Sequence, residues 1–310
     1  MENKTEIKNA VLVMLSIREW QAKAQDKTAA AQVAKENDVQ DSKRARVWKD
    51  LLTRCDAVKK YESVRRAART YHYQNTLTWM HDGPRILTTA NYDEYMTQMR
   101  QFRAQFDAAV LDFIEQYPQL KHDSKVALGR LYDESQYLSH AELMERYSFS
   151  WQVMPMPATE GLLSLNLKTD DAEQLADQLR EEMNESFRNA TRKMWADLFE
   201  VVEKLVLKLK DESSKVKATH IDSVRELTAL LPRLNIMGDE HLDIIAKRLN
   251  DTLQSVTESK LELDISARRK VAEETQSVFN VIQTLNNTRQ RAVATPRPAQ
   301  GGSMEMKRAA

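Results

Sequence analysis

The chain has 310 residues but only one cysteine, six glycines and seven prolines. A lone Cys55 excludes an internal disulfide and a thiolate-rich metal site, and it suits a reducing compartment. It lies in LLTRCDAV, on what reads as an apolar helix face, where a small buried hydrophobe is expected. The glycines are scattered, apart from the Gly301-Gly302 pair. They form no Walker-type loop, no G-x-G-x-x-G and no G-x-S-x-G. Lys plus Arg and Asp plus Glu balance at 46 each, so the chain lacks the strong basic surplus of duplex-binding domains. The longest apolar run, near Val11–Leu15, is too short to span a bilayer and has no small-residue cleavage site behind it. A soluble, cytoplasmic protein is expected, with no membrane partner.

The six histidines form no H-x-x-x-H pair. His72 and His81 are nine apart, and a two-histidine zinc site there would need carboxylates from elsewhere. An enzyme would require His72, His81 and a carboxylate to converge in one cleft. The pairs Asp93/Glu94 and Asp133/Glu134 sit among charged helices and signal no paired-carboxylate chemistry. No catalytic residue, metal ligand or cofactor is therefore assigned.

What the chain has is helix-forming material. It is 42% hydrophobic and 30% charged, and rich in Ala, Leu, Gln, Glu, Lys and Arg. The expected fold is mainly α, of α+β type: a long-helix bundle with a small antiparallel sheet joining N-terminal and C-terminal halves. Residues 1–146 read as an N-terminal helical region with one short strand, Val11–Ile17. An exposed helix is expected over Gln21–Gln40. From Ser42 a long helix is expected on the stripe Val47, Leu51, Cys55, Val58, Tyr61, Ala68 and Tyr71. Asn91 is a candidate N-cap for the next helix, whose stripe from Met96 to Phe113 ends at Pro118. Over 147–168, Phe149, Trp151 and Val153, and then Leu163, Leu165 and Leu167, alternate with polar residues like two strands of a hairpin. A C-terminal bundle is expected over 169–286. Its first helix runs for about 40 residues from Asp170, with a capping-box-like Glu173. Further stripes follow at Ile221–Leu234 (interrupted by Pro232), Leu242–Leu253 and Val271–Leu285. Residues 287–310 read as a disordered basic tail.

Charge and aromatic residues concentrate in Val58–Tyr95. From Lys43 to Arg103 there are 13 Lys or Arg against 6 Asp or Glu, whereas Asp112–Glu145 has 3 against 7. Arg65 and Arg69 are four apart and Arg66 and Arg69 three apart, so the three are expected on one side of a helix, followed by Tyr71, Tyr73 and Trp79 and the turn residues Gly83-Pro84. These six are the candidate contact residues. They support two readings: arginines for phosphates with aromatics for unpaired bases, or aromatic plugs fixing the turn beneath a supporting arginine fan.

The run ARTYHYQNTLTWMHDGPRILTTANYDEYMTQMRQF resembles the signature region of a phage and bacterial protein family of unknown function. LSIREWQAKAQDK near the N-terminus and LTALLPRLNI at 227–236 resemble two further landmarks in the same order. The resemblance spans most of Val11–Ile236. It implies a gene often placed beside a MoxR-type AAA+ ATPase and a von Willebrand A-domain protein, and a host-cytoplasmic location if phage-encoded. The expectation is a non-enzymatic adaptor working with that separate ATPase and von Willebrand A-domain partner. The alternative is a single-stranded nucleic-acid binder of phage replication or recombination, using Arg65, Arg66, Arg69, Tyr71, Tyr73 and Trp79. A homo-oligomer through the 170–210 helix is a further expectation, with Leu175, Leu179, Met183 and Phe187 as its seam.

Overall fold

In the computed structural model the described residues are 9–53, 55–80, 83–158, 169–211 and 213–294. The chain is mainly α with a small amount of antiparallel β-structure. It divides into two compact units, Met1–Ser186 and Phe187–Ala310. The division falls inside one continuous helix, later than the expected boundary at 169.

In the first unit, strand β1 (Ala10–Arg18) is central to the sheet. Its residues Val11, Val13, Leu15 and Ile17 pack into the apolar core, as the alternation of a pleated strand requires. The order is β4-β5-β1-β6, with β4 at Leu77–Thr78, β5 at Arg85–Thr88 and β6 at Ser148–Pro155. β1 pairs antiparallel with β6 along its length, from Val11 opposite Pro155 to Arg18 opposite Ser148. On its other side it pairs with β5, Ala10 opposite Thr88. The pairing of the N-terminal strand with the middle of the chain is as expected. The expected strand at Leu163–Leu167 lies outside the described residues.

The segment between β1 and the first long helix departs from expectation. Gln21–Gln40 is strand β2 (Lys23–Gln25) followed by helix α1 (Lys27–Glu36), capped by Asp26. The helix expected from Ser42 begins only at Asp56. Before it lie a short 3-10 turn at Ser42–Arg44 and strand β3 (Trp48–Asp50), paired with β2. Val47 and Leu51 are thus not on a helical stripe. Their backbones are held by β2 and its flanks: Asp26 N–H donates to the Val47 carbonyl, and Leu51 N–H to that of Ala22. Cys55 is the half-buried N-cap residue of α2 rather than a face residue within it.

Helix α2 (Asp56–Gln74) packs on α3 (Thr89–Leu128). Tyr61 meets Phe113 and Phe106, while Tyr71 meets Phe102 and Tyr95, so the two helices run antiparallel. α3 does not stop at Pro118. The buried stripe continues through Tyr117, Leu120 and Ser124, and this tertiary burial carries the helix past a proline on its exposed side. Helix α4 (His140–Arg146), with a Ser139/Glu142 capping box, returns the chain to β6.

The long helix α5 (Thr169–Lys210) has 42 residues, about 63 Å. In the second unit its buried stripe runs through Phe187, Met194, Leu198, Val202, Leu205 and Leu209. Helices α6 (Ala218–Leu234), α7 (Glu240–Leu253), α8 (Glu258–Leu263) and α9 (Ile265–Ala294) follow. Pro232 sits in the last turn of α6 without ending it. Two arginines, Arg225 half-buried and Arg268 buried, close helix ends here. Arg225 donates to the carbonyls of Leu253 and Val256 at the end of α7. Arg268, 8% exposed, donates to those of Lys208, Leu209, Asp211 and Ser214 after α5. Each satisfies carbonyls that a helix terminus leaves unpaired. α9 runs on to Ala294, beyond the boundary expected at 286; residues 295–310 lie outside the described residues. Among the described residues no helix is long and apolar enough to cross a membrane.

Candidate functional site

The six candidate contact residues are sorted by α2 and the turn after it into an inward and an outward set. Arg65 points in. Its Nη1 pairs with Glu19 Oε1 at 2.7 Å, and the Glu19 side chain is 8% exposed. The Tyr71 ring is half-buried against Tyr95 and Phe102, and Trp79 is buried. Arg66, Arg69 and Tyr73 are exposed. Their spacing of three and four places them on one stripe of α2 facing solvent. Arg69 also reaches back, with Nη2 3.4 Å from the Ile17 carbonyl oxygen. Arg66 makes no hydrogen bond or ion pair among the described residues.

Behind that stripe lies a buried polar knot. His72 Nδ1 is 2.7 Å from the Tyr95 hydroxyl. Thr76 Oγ1 donates to the His72 carbonyl at 2.5 Å. Asn75 Nδ2 donates to the Tyr71 carbonyl, and Asn91 Nδ2 donates to the Asn75 carbonyl, both at 3.0 Å. Asn91 is therefore not the N-cap of α3, a position held by Thr88. It lies fully buried in the first turn and ties α3 to the end of α2.

The turn is locked by a residue outside the candidate set, Arg85. Its Nε donates to Thr76 Oγ1 at 2.7 Å and its Nη2 to the Thr76 carbonyl at 2.8 Å. Its guanidinium lies over the exposed Tyr73 ring, 4.9 Å from the centroid. Gly83, at φ +128°, supplies the backbone geometry between β4 and β5 that an L side chain rarely adopts. The only sequence signal for Arg85 is its place directly after Gly83-Pro84.

The electrostatics follow from burial. His72 is pushed down to about 4 by desolvation and by the nearby Arg85 cation. Tyr95 is pushed well above an ordinary phenol by burial, so it keeps its proton and can donate to a neutral His72. A second buried pair lies further back along α2: the Tyr147 hydroxyl donates to that of Tyr61 at 3.4 Å. Burial pushes Tyr61 up to about 12, with Glu19 adding to the rise.

His72 is thus engaged inside the fold, and His81 lies outside the described residues. Among the described residues no three His, Cys, Asp or Glu side chains gather to hold a metal ion. In the second unit a groove of about 460 Å³ runs along α9 beside the end of α5, with Leu209 and Ala272 as apolar lining and Lys210 and Gln276 among its polar residues. The landmark at 227–236 ends in a similar lock. Asn235 bonds the Asp239 backbone on both sides, and the Asp239 carboxylate accepts from Trp195 Nε1 at 3.0 Å.

No protein-family model, curated protein or solved structure matches the chain. The family resemblance rests on three stretches of sequence alone, and two of them fold into hydrogen-bonded locks.

Proposed function

We propose that the chain is a non-enzymatic interaction protein that meets an anionic partner surface through Arg66 and Arg69 on α2. The observation that carries this reading is the sorting of the arginine-aromatic stretch. Arg65, Tyr71, His72 and Trp79 are committed to the interior, while Arg66, Arg69 and Tyr73 line one exposed stripe. Following the resemblance, the partner is a separate AAA+ ATPase or its von Willebrand A-domain companion.

Co-purification with a MoxR-type AAA+ ATPase, the neighbour the resemblance implies, tests this. Retention at low salt, lost in an Arg66→Glu, Arg69→Glu double variant, is expected; no retention by the wild type at low salt overturns it.

A second reading, single-stranded nucleic-acid binding, is favoured by Tyr73. It is 60% exposed, shares the stripe with both arginines and carries the Arg85 guanidinium on its ring. It loses Tyr71 and Trp79 as stacking platforms, because both rings pack inside. A salt-dependent gel shift with oligothymidylate, abolished by the same double variant, would move the assignment to this reading.

A further inference from the structure

We propose that the outer edge of β6 is a self-association site, where β6 of a second copy of this chain adds as an antiparallel strand. This surface is separate from the α2 stripe and does not depend on the function proposed for it.

β6 is the last strand of the β4-β5-β1-β6 sheet. Its eight residues pair with β1 on one side, and among the described residues no strand pairs on the other. Among the described residues that leaves an edge about 27 Å long with alternate N–H and C=O groups turned outward. Folded proteins blunt such edges with charge, proline or extreme shortness. The other sheet edges among the described residues are blunted. β4 is two residues long. The β2-β3 pair is three residues long and carries the Lys23–Asp50 ion pair. β6 reads Ser-Phe-Ser-Trp-Gln-Val-Met-Pro, with no charge, and its one proline is the last residue.

The occupant follows from the strand's own pattern. In an antiparallel sheet, residues directly opposite share a face. With Trp151 on the two-fold axis, Phe149 lies opposite Val153 of the second copy and Trp151 opposite Trp151. The core-side face is then apolar across the junction. On the other face Ser150 lies opposite Gln152, and Ser148 opposite Met154. No charge opposes a like charge at any position. Val153, 40% exposed, and the half-buried Trp151 are the side chains such pairing would cover. The contact is isologous and closes at two copies. A single eight-residue ladder is small beside permanent interfaces, so the dimer is concentration-dependent.

Sedimentation equilibrium on the full chain, from about 1 μM to about 200 μM, reads the association. A reversible monomer–dimer equilibrium is expected, weakened at least about tenfold by Gln152→Lys, which places two cations diagonally across the junction. In a Cys55→Ser background, mixed Ser150→Cys and Gln152→Cys chains should give a covalent dimer on mild oxidation, and either variant alone far less. The proposal is overturned if the wild type stays monomeric throughout, or if a dimer forms that neither Gln152→Lys weakens nor the mixed cysteines trap. A monomer in which the outward-facing β6 amides, those not bonded to β1, resist hydrogen exchange also overturns it, since the edge is then covered within one chain.

Discussion

His72 makes the first unit acid-labile in a way that can be isolated from its carboxylates. In the fold it is neutral, buried and bonded to Tyr95, with its titration pushed down from an ordinary 6.5 to about 4. In the unfolded chain it takes up a proton near the ordinary value, so between these limits the unfolded state binds more protons. The stability this neutral histidine contributes is whole above pH 6.5 and drains away as pH falls towards 4. A shift of about 2.5 units corresponds to about 3 kcal/mol. Glutamine at this position retains a hydrogen-bonding group for the Tyr95 hydroxyl but cannot titrate. Urea unfolding of wild type and His72→Gln, followed by tryptophan fluorescence, suits the test because Trp20, Trp48, Trp79 and Trp151 all lie in the first unit. Exposed carboxylates held low by their partners, such as Asp56 beside Lys59 and Asp112 beside Lys60, are present in both proteins and cancel. The wild type should lose about 3 kcal/mol more than the variant between pH 7.5 and 4. Parallel curves over that range would refute the buried, neutral assignment.

The inward and outward arginines should separate by stability alone. Arg65→Met leaves Glu19 buried without its cation and should cost about 3–5 kcal/mol, whereas Arg66→Ala should stay within about 0.5 kcal/mol, both read by chemical denaturation. Arg268→Met strips four carbonyls of their donor and should destabilise the second unit by about 3 kcal/mol, with faster hydrogen exchange at Leu205–Leu209. At high pH the order reverses: Tyr61 is pushed up to about 12, so its contribution is complete below pH 10 and is lost as pH rises towards 12. Absorbance at 295 nm should show its ionisation arriving with unfolding rather than before it.

The elements legible in the sequence were those whose period ran long enough to speak. Val11–Ile17 and Phe149–Val153 alternate over several residues, and the stripe from Asp170 onward holds for ten turns or more. Arg85–Thr88 is only four residues, and nothing in RILT marks it as the neighbour of β1. Val47 and Leu51 mimicked a helical step because pairing with residues more than twenty positions earlier, not local spacing, sets their conformation. In the candidate site the residue types were visible but their direction was not. Arg65 and Arg66 are adjacent and chemically identical, and only the position of Glu19 at the end of β1 draws one of them inward. Arg85 was invisible for the same reason: its partners are the carbonyl and hydroxyl of Thr76, groups that leave no pattern in a sequence.

The knot of Asn75, Asn91, His72 and Tyr95 has a consequence for errors in folding. An apolar seam between α2 and α3 would tolerate sliding, since one leucine accepts another nearly as well. Amides held dry do not, because a slip of one residue leaves their donors and acceptors facing carbon, at about 1–3 kcal/mol for each group left unmatched. The knot thus works as a proofreader of helix register, lifting the mispaired arrangements well above the native one whatever it adds to stability itself. Leucines at 75 and 91 together leave the buried Asn75 carbonyl without its donor and should cost about 1–3 kcal/mol, and they should broaden methyl resonances along α2 and α3, the mark of several packings where the wild type has one.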